Sequence, residues 1–250
     1  MDVRNVRLVV GDKFTNFHRI PSCILYSDWK QLRGVNRSLL DSCIFIPGLG
    51  LNKNQVDDIS RELPIELQHL SQYDLASQSQ THKHNIDNIL VTTPEQIDDF
   101  VFESKMMVQD CNELILDHAT GFHLPGMLFL EATRQMATSA VDLLFHGENK
   151  YYVMHDIKAD YLNFAFPIDT TVTLELIQER SEDGERAFRV NLSFHQNGKK
   201  VVTTSGSFSS VDKESFALRE ERFAQITTNK ICRRLKNDAE ALLKQEEQCA

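Results

Sequence analysis

Residues 127–145 form a strongly apolar run of helical length, and no other segment constrains the chain as much. A helix that is apolar on most sides has to be enclosed by other elements. Pro125 suits its first turn, where a missing N–H leaves no hydrogen bond unmade, and Gly147 and Asn149 supply the stop. Downstream, residues 151–157, 161–166, 171–179, 186–195 and 200–208 read as strands. Residues 171–176 and 188–194 alternate apolar with polar, as half-buried antiparallel strands do. The breaks Glu182-Asp183-Gly184 and Gln196-Asn197-Gly198 carry the positive-φ chemistry of tight hairpins. Such a meander buries itself by wrapping its sheet around the long helix, which predicts an α+β fold.

Upstream, residues 5–10 and 42–46 are β-rich, and a helix-compatible stretch covers 54–63. Together they predict a small α/β element. Gly48 and Gly50 resemble the opening of a dinucleotide loop, but no third glycine follows at the required offset, so a plain turn is expected. Residues 71–85 are rich in Ser, Gln and His and predict an exposed linker. His82 and His84 lie there without Cys or acidic partners at ligand spacing, which favours a solvated loop over a metal site. Residues 90–91 and 100–108 read as extended, and 114–122 as a strand end and loop. The expected organisation is an N-terminal appendage and linker over 1–80, a main domain over 83–210 and a helical tail over 211–250.

The tail has no glycine or proline, and eight basic residues balance eight acidic ones. It reads as a solvated amphipathic helix or as a surface for a partner. The whole chain carries 27 Lys and Arg against 36 Asp and Glu, a net −9, which opposes general affinity for nucleic acid or anionic membranes. Of its 250 residues 41% are hydrophobic and 25% charged, a globular balance that excludes wholesale disorder. No uncharged apolar run approaches the roughly 20 residues of a membrane span, and residues 1–11 mix charge with Val and Leu, so a cytoplasmic protein is expected. Five scattered cysteines without C-x-x-C spacing predict neither a disulfide framework nor a zinc knuckle.

The densest set of functional side chains lies between Asp117 and Gln135. His118 and His123 sit on the loop that feeds the apolar helix, and Glu131, Arg134 and Gln135 interrupt that helix at i, i+3 and i+4. Burying these three groups costs several kcal/mol unless they are paired. Two readings compete: an internal Glu131–Arg134 ion pair with Gln135 bonding the backbone, or a carboxylate and imidazole facing a substrate near a helix N-terminus.

The string DHATGFHLPGMLFLEATRQMA resembles the motif of the A-factor biosynthesis (AfsA) hotdog family, in which Asp-His, a second His, Pro-Gly-Met and Glu-x-x-Arg-Gln follow in this order. More distantly, PGMLFLEA is similar to the helix start of β-hydroxyacyl-carrier-protein dehydratases. The resemblance covers mainly residues 83–210. It implies a hotdog fold, an antiparallel sheet wrapped around one central helix, with a small N-terminal α/β element and the C-terminal helical tail outside it. Such sites usually form between two hotdog units; the chain shows the signature once, so a homodimer is expected.

The resemblance also implies acyl-thioester chemistry: transfer of a β-ketoacyl group from acyl carrier protein, or acyl-CoA, to a hydroxyl acceptor on the way to butyrolactone-like signals or related secondary metabolites. Carried over, Glu131 is the base, and Arg134 holds a phosphate or carboxylate or orients Glu131. His118 or His123 hydrogen-bonds the thioester carbonyl or exchanges protons with it, helped by the backbone at Gly126 or Met127. Asp117, Pro125, Gly126, Met127 and Gln135 complete the substrate site, and chemistry of this kind implies no metal or cofactor. A dehydratase or thioesterase, and a non-catalytic acyl-binding or assembly module, are the alternatives. An acidic carrier protein needs a basic landing site, for which Lys199-Lys200 and Arg233-Arg234 with Lys236 qualify by charge.

Overall fold

The computed structural model describes residues 5–35, 42–71, 73–116, 121–145, 150–178 and 186–249, with side chains to residue 239. In chain order the elements are β1 (Asn5–Val10), β2 (Cys23–Leu25), α1 (Tyr26–Val35), β3 (Cys43–Pro47), α2 (Lys53–Ser60) and α3 (Gln78–Thr81). They continue with β4 (Glu95–Asp98), β5 (Val101–Lys105), α4 (Glu113–Leu116), α5 (Gly126–Phe145), β6 (Lys150–Tyr161), β7 (Thr171–Gln178), β8 (Arg186–Gln196), β9 (Lys199–Asp212) and α6 (Lys213–Cys249).

Among the described residues the strands form two sheets: β2-β1-β3, all parallel, and an antiparallel sheet in the order β4-β5-β7-β8-β9-β6. The larger one encloses α5. Leu128, Phe129, Ala132, Met136 and Ala140 of α5 are almost fully buried, and Phe129 meets Phe194 of β8 edge to face at 5.0 Å. The alternation read in the sequence becomes register: Leu174 lies opposite Leu192 and Leu176 opposite Val190, all four buried. Between β8 and β9, Asn197 and Gly198 both take positive φ, the mirror-image turn that matches strand twist.

The N-terminal unit has its own small core, with Trp29 stacked on Tyr26, and is joined to the larger core by backbone contact. The Gly48, Leu49 and Gly50 N–H groups donate to the carbonyls of Val9, Pro167 and Val108 at 2.7, 3.0 and 2.7 Å. A Cβ on Gly11 would stand 1.7 Å from the Gly50 carbonyl oxygen, so this approach requires glycine. With those three donors engaged, the turn has no phosphate cradle to offer. Val10, Phe14, Phe17 and Leu49 then enter the core around α5.

Three local expectations are corrected. Residues 151–157 and 161–166 are not two strands: β6 runs unbroken against β9 to Tyr161, because no turn residue interrupts it and a bulge between Met154 and Asp156 absorbs the irregularity. Residues 162–166 then leave the sheet. Residues 113–116 form a helical turn, with Asn112 Oδ1 accepting the Leu114 N–H at 3.0 Å. The stretch expected as a linker is ordered, with Leu75 bridged to Thr92, and Ala76 and Thr81 almost fully buried. Its Ser and Gln side chains close a capping box, Ser77 with Gln80, so a composition poor in large apolar residues still folds onto the core.

Helix α6 leaves the sheet beside β6, where Phe216 stacks on Tyr151 at 4.7 Å. Beyond that contact its described side chains are exposed. The Gly147-Asn149 stop and the Glu182-Asp183-Gly184 break lie outside the described residues.

Candidate functional site

Helix α5 is mostly apolar, and in its second and third turns three long polar side chains share one face. Arg134 Nε donates to Glu131 Oε2 at 3.0 Å and Arg134 Nη2 to Oε1 at 2.7 Å, while Gln135 Nε2 donates to Oε1 at 2.9 Å. Lys83, from the segment after α3, places Nζ 2.7 Å from the same oxygen. The second layer is backbone: Arg134 Nη2 donates to the Thr81 carbonyl at 2.8 Å and Gln135 Nε2 to the Asn88 carbonyl at 2.8 Å. Gln135 Oε1 accepts the Leu90 N–H at 2.7 Å. The polar groups of α5 thus clamp residues 81–90 onto the helix, and the clamp includes the ion pair expected from spacing.

Burial by itself pushes the Glu131 carboxyl up. The Arg134 hydrogen bonds and charge, with the Lys83 and Gln135 bonds, outweigh it and hold the group at about 2. Glu131 is therefore anionic throughout the neutral range, and the three-residue ion cluster carries a net charge of +1. His82, next to Lys83, is shifted down by burial and then by the Arg134 charge, and its ring packs 5.2 Å from Tyr152.

A cavity of about 340 Å³ opens beside this cluster. Its lining is mixed: Leu114, Met127, Leu130, Met154 and Ile157 are apolar, and Lys83, Asn88, Asn112, Glu113, Glu131 and Arg134 are polar or charged. Such a space accepts a molecule with an apolar chain and a polar head.

Of the residues expected at the site, Glu131, Arg134 and Met127 line the cavity, whereas Gln135 is fully buried behind it. Pro125 is buried at the start of α5, and the Gly126 carbonyl accepts the Tyr161 hydroxyl at 2.9 Å. His123 is exposed, packs 5.7 Å from Phe164 and is not among the cavity-lining residues. Asp117 and His118 lie outside the described residues. Sequence reasoning missed Lys83 and Tyr161. Lys83 stood in a polar stretch with no motif, and only the left-handed turn at His82 brings it back to α5. His82 serves as the C-cap of α3, and among the described residues no group of three His, Cys, Asp or Glu could hold a metal ion.

Residues 72–212, more than half of the chain, match the sequence model of the family described as the A-factor biosynthesis hotdog domain, AfsA. The chain belongs to that family. The wrapped sheet and central helix are its hotdog domain, and the match begins before the residue-83 boundary expected from sequence, taking in the clamped segment. No curated protein sequence matches the chain.

Similar solved structures include a mutant thioesterase from Pseudomonas aeruginosa, 19% identical over 55% of this chain and 94% of that one, with a TM-score of 0.40. A thioesterase from Haemophilus influenzae is 14% identical over 56% and 92%, with a TM-score of 0.40. A hot-dog-like protein from Thermanaerovibrio acidaminovorans is 21% identical over 41% and 73%, with a TM-score of 0.33. No described helix is long and apolar enough to cross a membrane.

Proposed function

We propose that this hotdog protein is an acyl-thioester enzyme that transfers a β-ketoacyl group from acyl carrier protein, or from acyl-CoA, to a hydroxyl acceptor in the synthesis of a butyrolactone-like signal or related secondary metabolite. The observation that carries the reading is the cavity beside Glu131 with both apolar and charged lining, in a chain of the A-factor biosynthesis family. The acyl chain lies along Met127, Leu130, Met154 and Ile157, and the thioester meets the polar lining residues.

Transfer requires the acceptor oxygen to form a bond to the thioester carbon, the C–S bond to break, and the hydroxyl proton to reach the departing sulfur. A carboxylate held at about 2 is a weak proton acceptor, so Glu131 aligns the hydroxyl rather than deprotonating it outright. Its Oε2, with one donor against three on Oε1, is the oxygen with capacity left. A histidine of the loop before α5, His118 or His123, relays the proton, and N–H groups of the first turn of α5, at Gly126 or Met127, meet the oxyanion. Asp117 and Pro125 belong to the substrate-binding set in this reading.

The homodimer belongs to the same proposal. Strand β6 is a long sheet edge with Tyr151, Met154 and Tyr161 exposed, and its Met154 and Ile157 line the cavity, so a second copy paired along β6 would close the site. Exposed, unpaired thiols at Cys111 and Cys232 favour the reducing cytoplasm as the setting.

The test is mass spectrometry of β-ketoacyl and β-hydroxyacyl carrier protein after incubation with the protein, with and without dihydroxyacetone phosphate, using Glu131→Gln as control. Loss of the ketoacyl group only with the phosphate present supports transfer. Water loss from the hydroxyacyl form, or acceptor-independent release, moves the protein to the dehydratase or thioesterase class. No Glu131-dependent change on any substrate leaves an acyl-binding or assembly module.

A further inference from the structure

The two cations at the cavity are held very differently. Arg134 is fixed at three points, twice on Glu131 and once on the Thr81 carbonyl. Among the described residues the Lys83 ammonium makes one contact, the 2.7 Å bond from Nζ to Glu131 Oε1, and an ammonium has three N–H donors. About a quarter of its side chain is exposed, on the cavity side of the clamp.

The route by which Lys83 arrives is built in some detail. Ser77 and Gln80 cap α3, His82 ends it in the left-handed conformation, and the Lys83 N–H returns to the Gln78 carbonyl at 2.9 Å. Thr81, wholly buried, anchors the turn on α5 through Arg134. A non-glycine residue at φ 53° is a strained backbone, and here that strain accompanies the reversal that aims Lys83 at Glu131.

We propose that Lys83 is a substrate-contacting residue of this site: anchored on Glu131, its ammonium offers its remaining N–H donors to the carbonyl oxygen of an acyl thioester in the cavity and strengthens that bond as negative charge develops there. The inference rests on the acyl-thioester reading and adds to it a residue outside the motif. A lysine suits the task because its flexible stem lets the point charge follow the oxygen while Arg134 keeps Glu131 in place. Glu131 then acts on the acceptor side through Oε2 and on the acyl side through Lys83.

The experiment measures binding of the unreactive ketone isostere of a β-ketoacyl pantetheine by calorimetry to wild type, Lys83→Met, Lys83→Arg and the distant control Lys53→Met. It is paired with the Lys83 ammonium resonance of 15N-lysine-labelled wild type during titration. The expected result is binding weakened at least tenfold in Lys83→Met, partly restored in Lys83→Arg, unchanged in Lys53→Met, and a Lys83 resonance that moves with saturation. Wild type that binds while Lys83→Met binds equally well and the resonance stays still overturns the Lys83 assignment alone. Wild type that fails to bind the isostere overturns the acyl-thioester reading, and the Lys83 role with it. Should Lys83→Met not fold, the wild-type resonance and Lys83→Arg decide the question.

Discussion

Glu131 shows at the scale of one residue how a buried charge is made tolerable and what that does to its chemistry. Four hydrogen bonds from three side chains hold it at about 2, against an ordinary value of 4.5. A depressed carboxyl stabilises the fold above its unfolded pKa, and that contribution, roughly 3 kcal/mol, is lost as pH falls from about 5 towards 2. Glu131→Gln, which leaves two cations facing an amide, is expected to lower unfolding free energy by about 3–5 kcal/mol at pH 7 and by much less at pH 3, as urea titrations at the two pH values will show. Gly126 presents a steric case. A Cβ there would lie 2.8 Å from the hydroxyl oxygen of the exposed Tyr161, so Gly126→Ala should displace that ring at a cost of less than about 1 kcal/mol in the same titration.

The elements divide into those that the core holds and one that it does not. Helix α5 is enclosed and further tied to β9 by the buried 2.6 Å bond between the Thr133 and Thr204 hydroxyls. Helix α6, by contrast, shows Leu218, Phe223, Ile226, Ile231 and Leu235 between 48% and 70% exposed and touches the sheet mainly through Phe216. Truncation after Arg222 is expected to change unfolding free energy by less than about 0.5 kcal/mol while reducing helical ellipticity, which circular dichroism melts will register together. The strand elements were read well where side chains alternate, as in β7 and β8. They were read badly in β6, whose burial follows no simple alternation because it is a bulged sheet edge.

For the whole molecule, the two sheets are joined through shared core as well as backbone. Val10, Phe14, Phe17 and Leu49 are all at most 4% exposed in the core around α5. At about 1.5–3 kcal/mol for each buried apolar side chain, removing residues 1–71 forfeits an amount comparable to a typical domain's entire stability. The truncated protein is expected to lose its cooperative thermal transition, whereas the α6 truncation keeps it. Pairing along β6 predicts sedimentation at twice the 28.7 kDa chain mass, and a monomer at micromolar concentration would remove the two-copy site.

The apolar run at 127–145, the alternation of β7 and β8 and the Asn-Gly turn determined the class of fold, because local periodicity and turn chemistry repeat the geometry of the elements they build. The DH…H-x-P-G-M…E-x-x-R-Q string likewise marked the helix face where Glu131, Arg134 and Gln135 meet, since residues three and four apart on a helix are neighbours whatever surrounds them. What only the tertiary structure decided is contact across long chain separations. The polar run at 71–85 held little signal that it folds onto α5, because Tyr73 and Leu75 are its only large apolar residues and small side chains with a capping box settle the rest. Nor could spacing show that Lys83, almost fifty positions before Glu131, reaches its carboxylate: that contact exists because His82 turns left-handed against a helix not yet reached in the chain.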